Sequence, residues 1–303
     1  MNLSVDFAGV TMKNPVTTAS GTFGSGAEYG EYVDLSRLGA VTTKGVANVP
    51  WPGNPTPRVC ETYGGMLNAI GLQNPGIDVF VERDIPYLKQ YDTRIIVNVC
   101  GHTTEEYLEV VERLADQDVD LLEINISCPN VKEGGIAFGT DTEMMCKVVS
   151  AVRKATGLPL ITKLSPNVTK IADFAKAAED AGSDMISLIN TIPAMAIDIE
   201  TFRPKIANVT GGFSGPAIKP IAVRMVYEAA HAVRIPVIGM GGIMTAEDAI
   251  EMILAGATAV SVGTANFTNP SVTMEIADGI KNYMECHQVA DIRELVGAVH
   301  DRF

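Results

Sequence analysis

The sequence predicts a closed (β/α)8 barrel, the TIM-barrel architecture, formed by residues 1–303 as a single domain. Eight short apolar runs recur along the chain, and helix-like segments lie between most of them. No linker, low-complexity run or change in composition divides the 303 residues. Barrels of this type span roughly 200 to more than 400 residues, so this length is consistent with one domain.

The apolar runs are rich in the β-branched residues that strands favour. In chain order they are VTTAS (16–20), AVTTK (40–44), RIIVNVC (94–100), LLEINIS (121–127), LPLITKL (158–164), DMISLIN (184–190), IPVIGM (235–240) and ATAVSVG (257–263). The segments 103–117, 169–182 and 245–256 have apolar residues at three- and four-residue spacings, which predicts helices. This alternation of strands and helices favours a parallel sheet covered by helices.

The segment 245–256 carries helix signals at both ends. Thr245 and Asp248 have the spacing of a capping box, and Gly256 is placed to end the helix. An open doubly wound sheet is the alternative fold, but GMGGIM (239–244) lacks the third glycine of the usual dinucleotide motif. The segment 45–75 is long for a connection and rich in Pro and Gly, which is typical of functional or disordered loops.

Composition argues against several classes of function. The formal net charge of −13 disfavours nucleic-acid and anionic-membrane partners. No run of about 18 apolar residues predicts a membrane span, and the first residues lack the basic part of a signal peptide. The five scattered cysteines lack a CxxC motif and the four histidines lack metal-ligand spacing, so no metal site is expected. We therefore expect a cytoplasmic protein.

Polar residues end several of the apolar runs. They are Ser20, Lys44, Asn98, Asn125, Lys163 and Asn190. The C-terminal ends of barrel strands converge on one rim, where the active sites of such barrels are built. Each residue alone could be a turn residue or a solvated strand tip, but two lysines and three asparagines at one rim favour a binding site.

Glycine turns follow the last two runs, GMGGI (239–243) and SVGT (261–264). Glycine permits close approach of the backbone to a ligand, and helix N-termini present N–H groups to anions. Barrels commonly bind a phosphate with the loops after strands seven and eight. These turns therefore predict a phosphate site, the alternative being two tight turns that simply need glycine.

Cys128 stands directly after a β-run and directly before Pro129. Proline is rarely tolerated inside a strand, so the strand must end here and Cys128 lies at the edge of a loop. A thiol near cations loses its proton more easily, and the thiolate can accept a proton from carbon. The alternative is an inert buried cysteine, the commoner role of this residue.

These motifs together resemble class 1 dihydroorotate dehydrogenases, most closely the catalytic subunit of the 1B type. The resemblance runs nearly end to end through ASGTFG (19–24), TTKGV (42–46), NAIGLQNPG (68–76), NISCPN (125–130), ITKLSPN (161–167), GGFSGPAIKP (211–220), GMGGI (239–243) and SVGT (261–264). It implies a (β/α)8 barrel that binds FMN at its rim. It also implies oxidation of (S)-dihydroorotate to orotate in pyrimidine biosynthesis.

The resemblance also implies residue roles. Cys128 would be the general base that removes the C5 proton, and Lys163 would stabilise the reduced flavin. The residues expected to hold FMN are Ser20, Lys44, Gly45, Asn98, Asn125, Lys163, Ile189, Gly215, Gly241, Gly242, Gly263 and Thr264. Those expected to bind dihydroorotate are Lys44, Asn68, Ala69, Ile70, Gly71, Leu72, Asn125, Asn190 and Thr191.

The 1B type implies a partner, because its members pair with a subunit that carries FAD and a [2Fe–2S] cluster and use NAD+ as acceptor. We expect a heterotetramer, a homodimer of this chain with two copies of that subunit. A fumarate-linked 1A enzyme and a related flavin-dependent dihydropyrimidine dehydrogenase are the alternatives. A non-catalytic barrel that binds a phosphate ligand is a third, and it predicts a colourless protein.

Overall fold

A computed structural model describes residues 1–126 and 139–300. Eight parallel strands close into a barrel, and each pairs with the strand before and after it in the chain order. The barrel strands are Val16–Thr18, Ala40–Thr42, Arg94–Val99, Leu121–Asn125, Leu160–Lys163, Met185–Leu188, Val237–Met240 and Ala259–Val262. The predicted (β/α)8 barrel is confirmed, and every predicted run contains a barrel strand that is shorter than the run.

Helices surround the barrel. The α-helices are Ile77–Val79, Ile85–Leu88, Thr104–Leu114, Thr142–Ala155, Ile171–Asp180, Lys219–Ala230, Ala246–Leu254, Ala265–Thr268 and Val272–Cys286. A π-helical turn spans Phe80–Asp84, and 3-10 turns span Tyr29–Glu31, Leu35–Arg37, Pro216–Ile218 and Ile292–Glu294. The helix Thr104–Leu114 shows why these segments are helical, because Tyr107, Val110, Val111 and Leu114 repeat every three or four residues and are buried.

The sequence signals of the helix Ala246–Leu254 are confirmed. The Thr245 hydroxyl accepts from the amide of Asp248, and the Asp248 carboxylate accepts from the amide of Thr245. Each bond satisfies an N–H group that the first turn of a helix leaves unpaired. Gly256 follows the helix with a φ of +123°, a conformation that glycine adopts without steric cost.

Antiparallel strands form smaller sheets outside the barrel. A four-stranded sheet has the order Ile192–Ala194, Gly211–Ser214, Gly65–Asn68 and Val59–Thr62. Smaller hairpins pair Val5–Phe7 with Val10–Met12, and Ile197–Asp198 with Arg203–Pro204. The long segment 45–75 therefore contains a hairpin, and its last strand ends at the rim.

In the part of the chain that the structure describes, no helix is long and apolar enough to cross a membrane. The same residues contain no group of three or more His, Cys, Asp or Glu side chains that could hold a metal ion.

Candidate active site

One cavity opens at the C-terminal rim of the barrel, where the strand ends and the four-stranded sheet meet. Sixteen of the residues expected to bind cofactor or substrate line it: Ser20, Lys44, Asn68, Ile70, Gly71, Leu72, Asn125, Lys163, Ile189, Asn190, Thr191, Gly215, Gly241, Gly242, Gly263 and Thr264. They come from seven of the eight barrel strand ends and from the added sheet. The fold thus brings together residues that lie up to 244 positions apart (264 − 20 = 244).

Three expected site residues that the structure describes are not among those that line the cavity. Gly45 and Asn98 lie next to each other: a Cβ atom added to Gly45 would be 3.0 Å from the Asn98 Oδ1 atom. Ala69 is fully buried in a small cluster with Leu67 and Ile206. Cys128 lies outside the described residues, so its role stays a prediction.

Lys163 places a cation in the floor of the cavity. Its side chain is 6% exposed, and its Nζ atom donates to the Ser20 hydroxyl over 3.2 Å. The carboxylate of Glu123 lies 3.6 Å from the same Nζ atom and is also buried. A buried charge needs partners of this kind, because moving an ammonium group from water into the protein interior without them costs several kcal/mol.

Asn125 is held from both its main chain and its side chain. The hydroxyl of Tyr107 donates to the Asn125 carbonyl oxygen over 2.8 Å from the adjoining helix. The Asn125 Nδ2 group donates to Asn98 Oδ1, and the Asn98 Nδ2 group donates to Glu123 Oε1, both over 3.1 Å. The end of the fourth barrel strand is therefore fixed in position at the cavity.

The glycine turn after the seventh strand is built for close backbone approach. Gly241 and Gly242 have φ angles of +121° and +76°. In residues 1–126 and 139–300, the amides of Gly242, Ile243, Gly263 and Thr264 donate to no protein acceptor, and all four residues line the cavity. Backbone N–H groups collected in this way are suited to an anion such as a phosphate.

A charged pair holds this turn from outside. The Asp248 carboxylate accepts from the amides of Met244 and Thr245, and Lys219 donates to it over 2.6 Å. Burial alone would raise the pKa of Asp248, but the bonds from Lys219 and Met244 outweigh it and leave that pKa below its ordinary value. The bonds to Asp248 and Glu251 raise the pKa of Lys219.

The four-stranded sheet supplies the opposite side of the cavity. Asn68 ends the strand Gly65–Asn68, and its side chain donates to the carbonyl oxygen of Gly212 over 3.4 Å. The next residues turn sharply at Gly71, whose φ is +72°. This turn brings Ile70 and Leu72 to the cavity wall opposite the barrel strands.

The comparisons with known proteins agree with this geometry. The family model described as Dihydroorotate dehydrogenase matches residues 2–284. The chain belongs to the dihydroorotate dehydrogenase family. Members of this family depend on a flavin.

Several curated proteins are similar to this chain along its whole length. A dihydroorotate dehydrogenase B (NAD(+)) catalytic subunit of Lachnoclostridium phytofermentans is 64% identical over 299 residues, which cover 99% of this chain and all of the relative. The protein with the same description from Geobacter sulfurreducens is 58% identical, covering 98% of each chain. A crystal structure of an Eimeria tenella dihydroorotate dehydrogenase with ferulenol shares the fold, with a TM-score of 0.82, 24% identity and coverage of 99% and 89%.

The cavity fits the flavin that the dihydroorotate dehydrogenase family uses. An FMN molecule combines a phosphate with a flat polar ring, and the cavity combines unpaired turn amides with a buried lysine. The Ser261 hydroxyl is buried beside the same cavity and has no partner among the described residues. An orphaned polar atom at this position is consistent with a ligand that supplies the missing bond.

Sequence reasoning missed Glu123. It belongs to the fourth β-run and precedes Asn125 by two residues, so both side chains lie on the same face of the strand. A carboxylate two positions from a predicted site residue, inside an otherwise apolar run, was the signal that could have found it. Ser214 was also missed, although its hydroxyl accepts from Thr264 over 2.8 Å at the cavity.

Proposed function

We propose that this protein oxidises (S)-dihydroorotate to orotate in pyrimidine biosynthesis, with FMN as its cofactor and NAD+ as the final acceptor. The observation that carries the proposal is the similarity to NAD(+)-type catalytic subunits along the whole chain, at 58 to 64% identity. The rim cavity, with its lysines, asparagines and turn amides, supports the same function.

The cavity has groups suited to each part of the substrate. Dihydroorotate is a cyclic ureide whose edge carries N–H donors and C=O acceptors, and the carboxamides of Asn68, Asn125 and Asn190 can match both. Its carboxylate needs a local cation, because the net charge of −13 repels anions at long range. Lys44 lines the cavity and would supply that charge.

The oxidation removes a proton from C5 of the substrate and a hydride from C6. Cys128 would take the C5 proton on its thiolate sulfur, a proposal that rests on its position in the sequence. When bound, FMN supplies the acceptor for the hydride. Lys163 and Ser20 would hold the flavin ring, and the turns at Gly242 and Gly263 would hold its phosphate.

Electron transfer to NAD+ requires a second protein in this proposal. The name "catalytic subunit" given to the relatives supports a separate partner. We propose that this partner carries FAD and a [2Fe–2S] cluster, and that two copies of it join a homodimer of this chain. The sequence of this chain has no dinucleotide-binding glycine motif and no CxxC motif, which agrees with that division of labour.

The test is the visible spectrum of the purified chain under anaerobic conditions, before and after addition of dihydroorotate. We expect a yellow protein that bleaches on addition. Dihydrouracil serves as the comparison substrate, because it has the same ring without the carboxylate. Bleaching by dihydrouracil and not by dihydroorotate, for the chain alone and for the chain with its partner subunit, would refute the proposal.

A further inference from the structure

Glu123 is a buried carboxylate that does not itself line the cavity. It is 2% exposed, on the fourth barrel strand, between strand neighbours that carry site residues. Asn98 on the third strand is its register partner, and Asn125 two residues on is the register partner of Lys163 on the fifth. The Glu123 carboxylate is therefore close to polar side chains on three adjacent strands, those of Asn98, Asn125 and Lys163.

The carboxylate fixes the direction of a chain of amides. An ionised carboxylate only accepts hydrogen bonds, so Asn98 must turn its NH2 group toward Glu123 Oε1. The Oδ1 atom of Asn98 is then the acceptor for the NH2 group of Asn125. The orientation of the Asn125 amide, which lines the cavity, is thereby fixed.

The same carboxylate acts on the cation of the site. Glu123 Oε1 lies 3.6 Å from Lys163 Nζ, too far for a strong hydrogen bond and close enough for a direct charge interaction. The Lys163 ammonium donates instead to Ser20, which follows the first barrel strand. Glu123 therefore offsets part of the positive charge without occupying the lysine's donors.

We propose that Glu123 is a positioning residue of this site, which fixes the amide order of Asn98 and Asn125 and offsets the charge of Lys163. The inference rests on the proposed function only where it concerns the pyrimidine ligand. It assigns two separable effects to one carboxylate. The charge of Glu123 acts on the flavin through Lys163, and its acceptor oxygen acts on the substrate through Asn98.

The first variant, Glu123→Gln, removes the charge and keeps an oxygen for Asn98. Its matched control is Glu112→Gln, at an exposed position of the helix Thr104–Leu114. The measurement is the midpoint potential of the bound FMN. We expect it to rise in Glu123→Gln, because the charge of Lys163 is no longer offset and favours the reduced flavin. A potential equal to that of the wild type and the control would overturn the effect through Lys163.

The second variant, Asn98→Leu, keeps the charge and breaks the amide chain at nearly constant side-chain shape. The measurement is the dissociation constant of orotate, followed by the change that orotate makes in the flavin spectrum. We expect an increase of about five- to tenfold, the equivalent of one hydrogen bond. Unchanged orotate affinity would overturn the amide relay.

The two variants together distinguish a positioning role of Glu123 from a role in protein stability alone. A structural role alone would lower the melting temperatures of both variants without raising the flavin potential in Glu123→Gln or weakening orotate binding in Asn98→Leu. If the wild type itself shows no response to orotate or dihydroorotate, the proposed function fails. The inference is then judged by the flavin potential of Glu123→Gln, which uses no pyrimidine ligand.

Discussion

Replacement of Gly242 by alanine tests the structure of the phosphate turn. Gly242 has a φ of +76°, which alanine rarely adopts, and it follows Gly241 in the turn after the seventh strand. A Cβ atom at this position would lie 2.7 Å from Lys219 Cβ, 2.8 Å from Lys219 N and 2.9 Å from Lys219 Cα. Two of these three atoms belong to the backbone, so the clash cannot be relieved by a side-chain rotation.

The expected cost has two parts. The left-handed backbone conformation costs an alanine about 1 to 2 kcal/mol. Forcing the helix that begins at Lys219 away from the turn costs about 1 to 3 kcal/mol, as in other overpacked sites. Together they destabilise the protein by about 2 to 5 kcal/mol. At roughly 2 °C per kcal/mol for a chain of this size, the melting temperature falls by roughly 4 to 10 °C.

Thermal unfolding followed by circular dichroism measures this change, and quenching of FMN fluorescence measures the affinity of the apoprotein for FMN. Gly157→Ala is the matched control, because Gly157 is exposed, has no positive φ, and a Cβ there would meet no atom within 4 Å. We expect the control to melt with the wild type and Gly242→Ala to lose both stability and FMN affinity. Equal melting temperatures for the two variants would refute the reasoning.

Three further predictions concern Cys128, Asp248 and Tyr107. Cys128→Ser should retain FMN but slow flavin reduction by dihydroorotate by about 100-fold or more near neutral pH, measured by stopped-flow absorbance; an unchanged rate would exclude Cys128 as the base. Asp248→Asn should cost about 1 to 2 kcal/mol at neutral pH. Because folding lowers the pKa of Asp248, its contribution is present above the ordinary carboxyl pKa and is lost as the pH falls through the lower folded value. Urea unfolding should therefore show the gap to the wild type closing in acid, and a gap that is constant with pH would contradict this. Tyr107→Phe should cost about 1 kcal/mol in the same assay, because the Asn125 carbonyl loses its donor; no loss would mean that water replaces the hydroxyl.

The barrel could be predicted from the sequence because its signals are local. Each strand is a short apolar run, and each predicted helix shows its own periodicity and, at Thr245 and Gly256, its own end signals. The convergence of strand ends then follows from the geometry of the fold and needs no further information. This is why Lys163 and Asn190, read only as strand ends, were expected at one site and lie at one cavity.

The four-stranded sheet could not be predicted in the same way. Its central pairing joins Leu67 to Phe213, which are separated by 146 positions (213 − 67 = 146). The segment 45–75 reads as a Pro- and Gly-rich loop because its strands are only four residues long and half-exposed. Strand preference depends on packing against neighbours, and here those neighbours come from a distant part of the chain.

The difference between Asn98 and Asn125 shows what register adds to residue type. Both are asparagines at strand ends and both were expected to line the cofactor, yet only Asn125 lines the cavity. Asn98 is fully buried and pairs in register with Glu123, so its amide is used inside the protein. The sequence places both asparagines near strand ends. The carboxylate of Glu123, which does not line the cavity, sets the orientation of their amides. Its own position depends on the register of three strands.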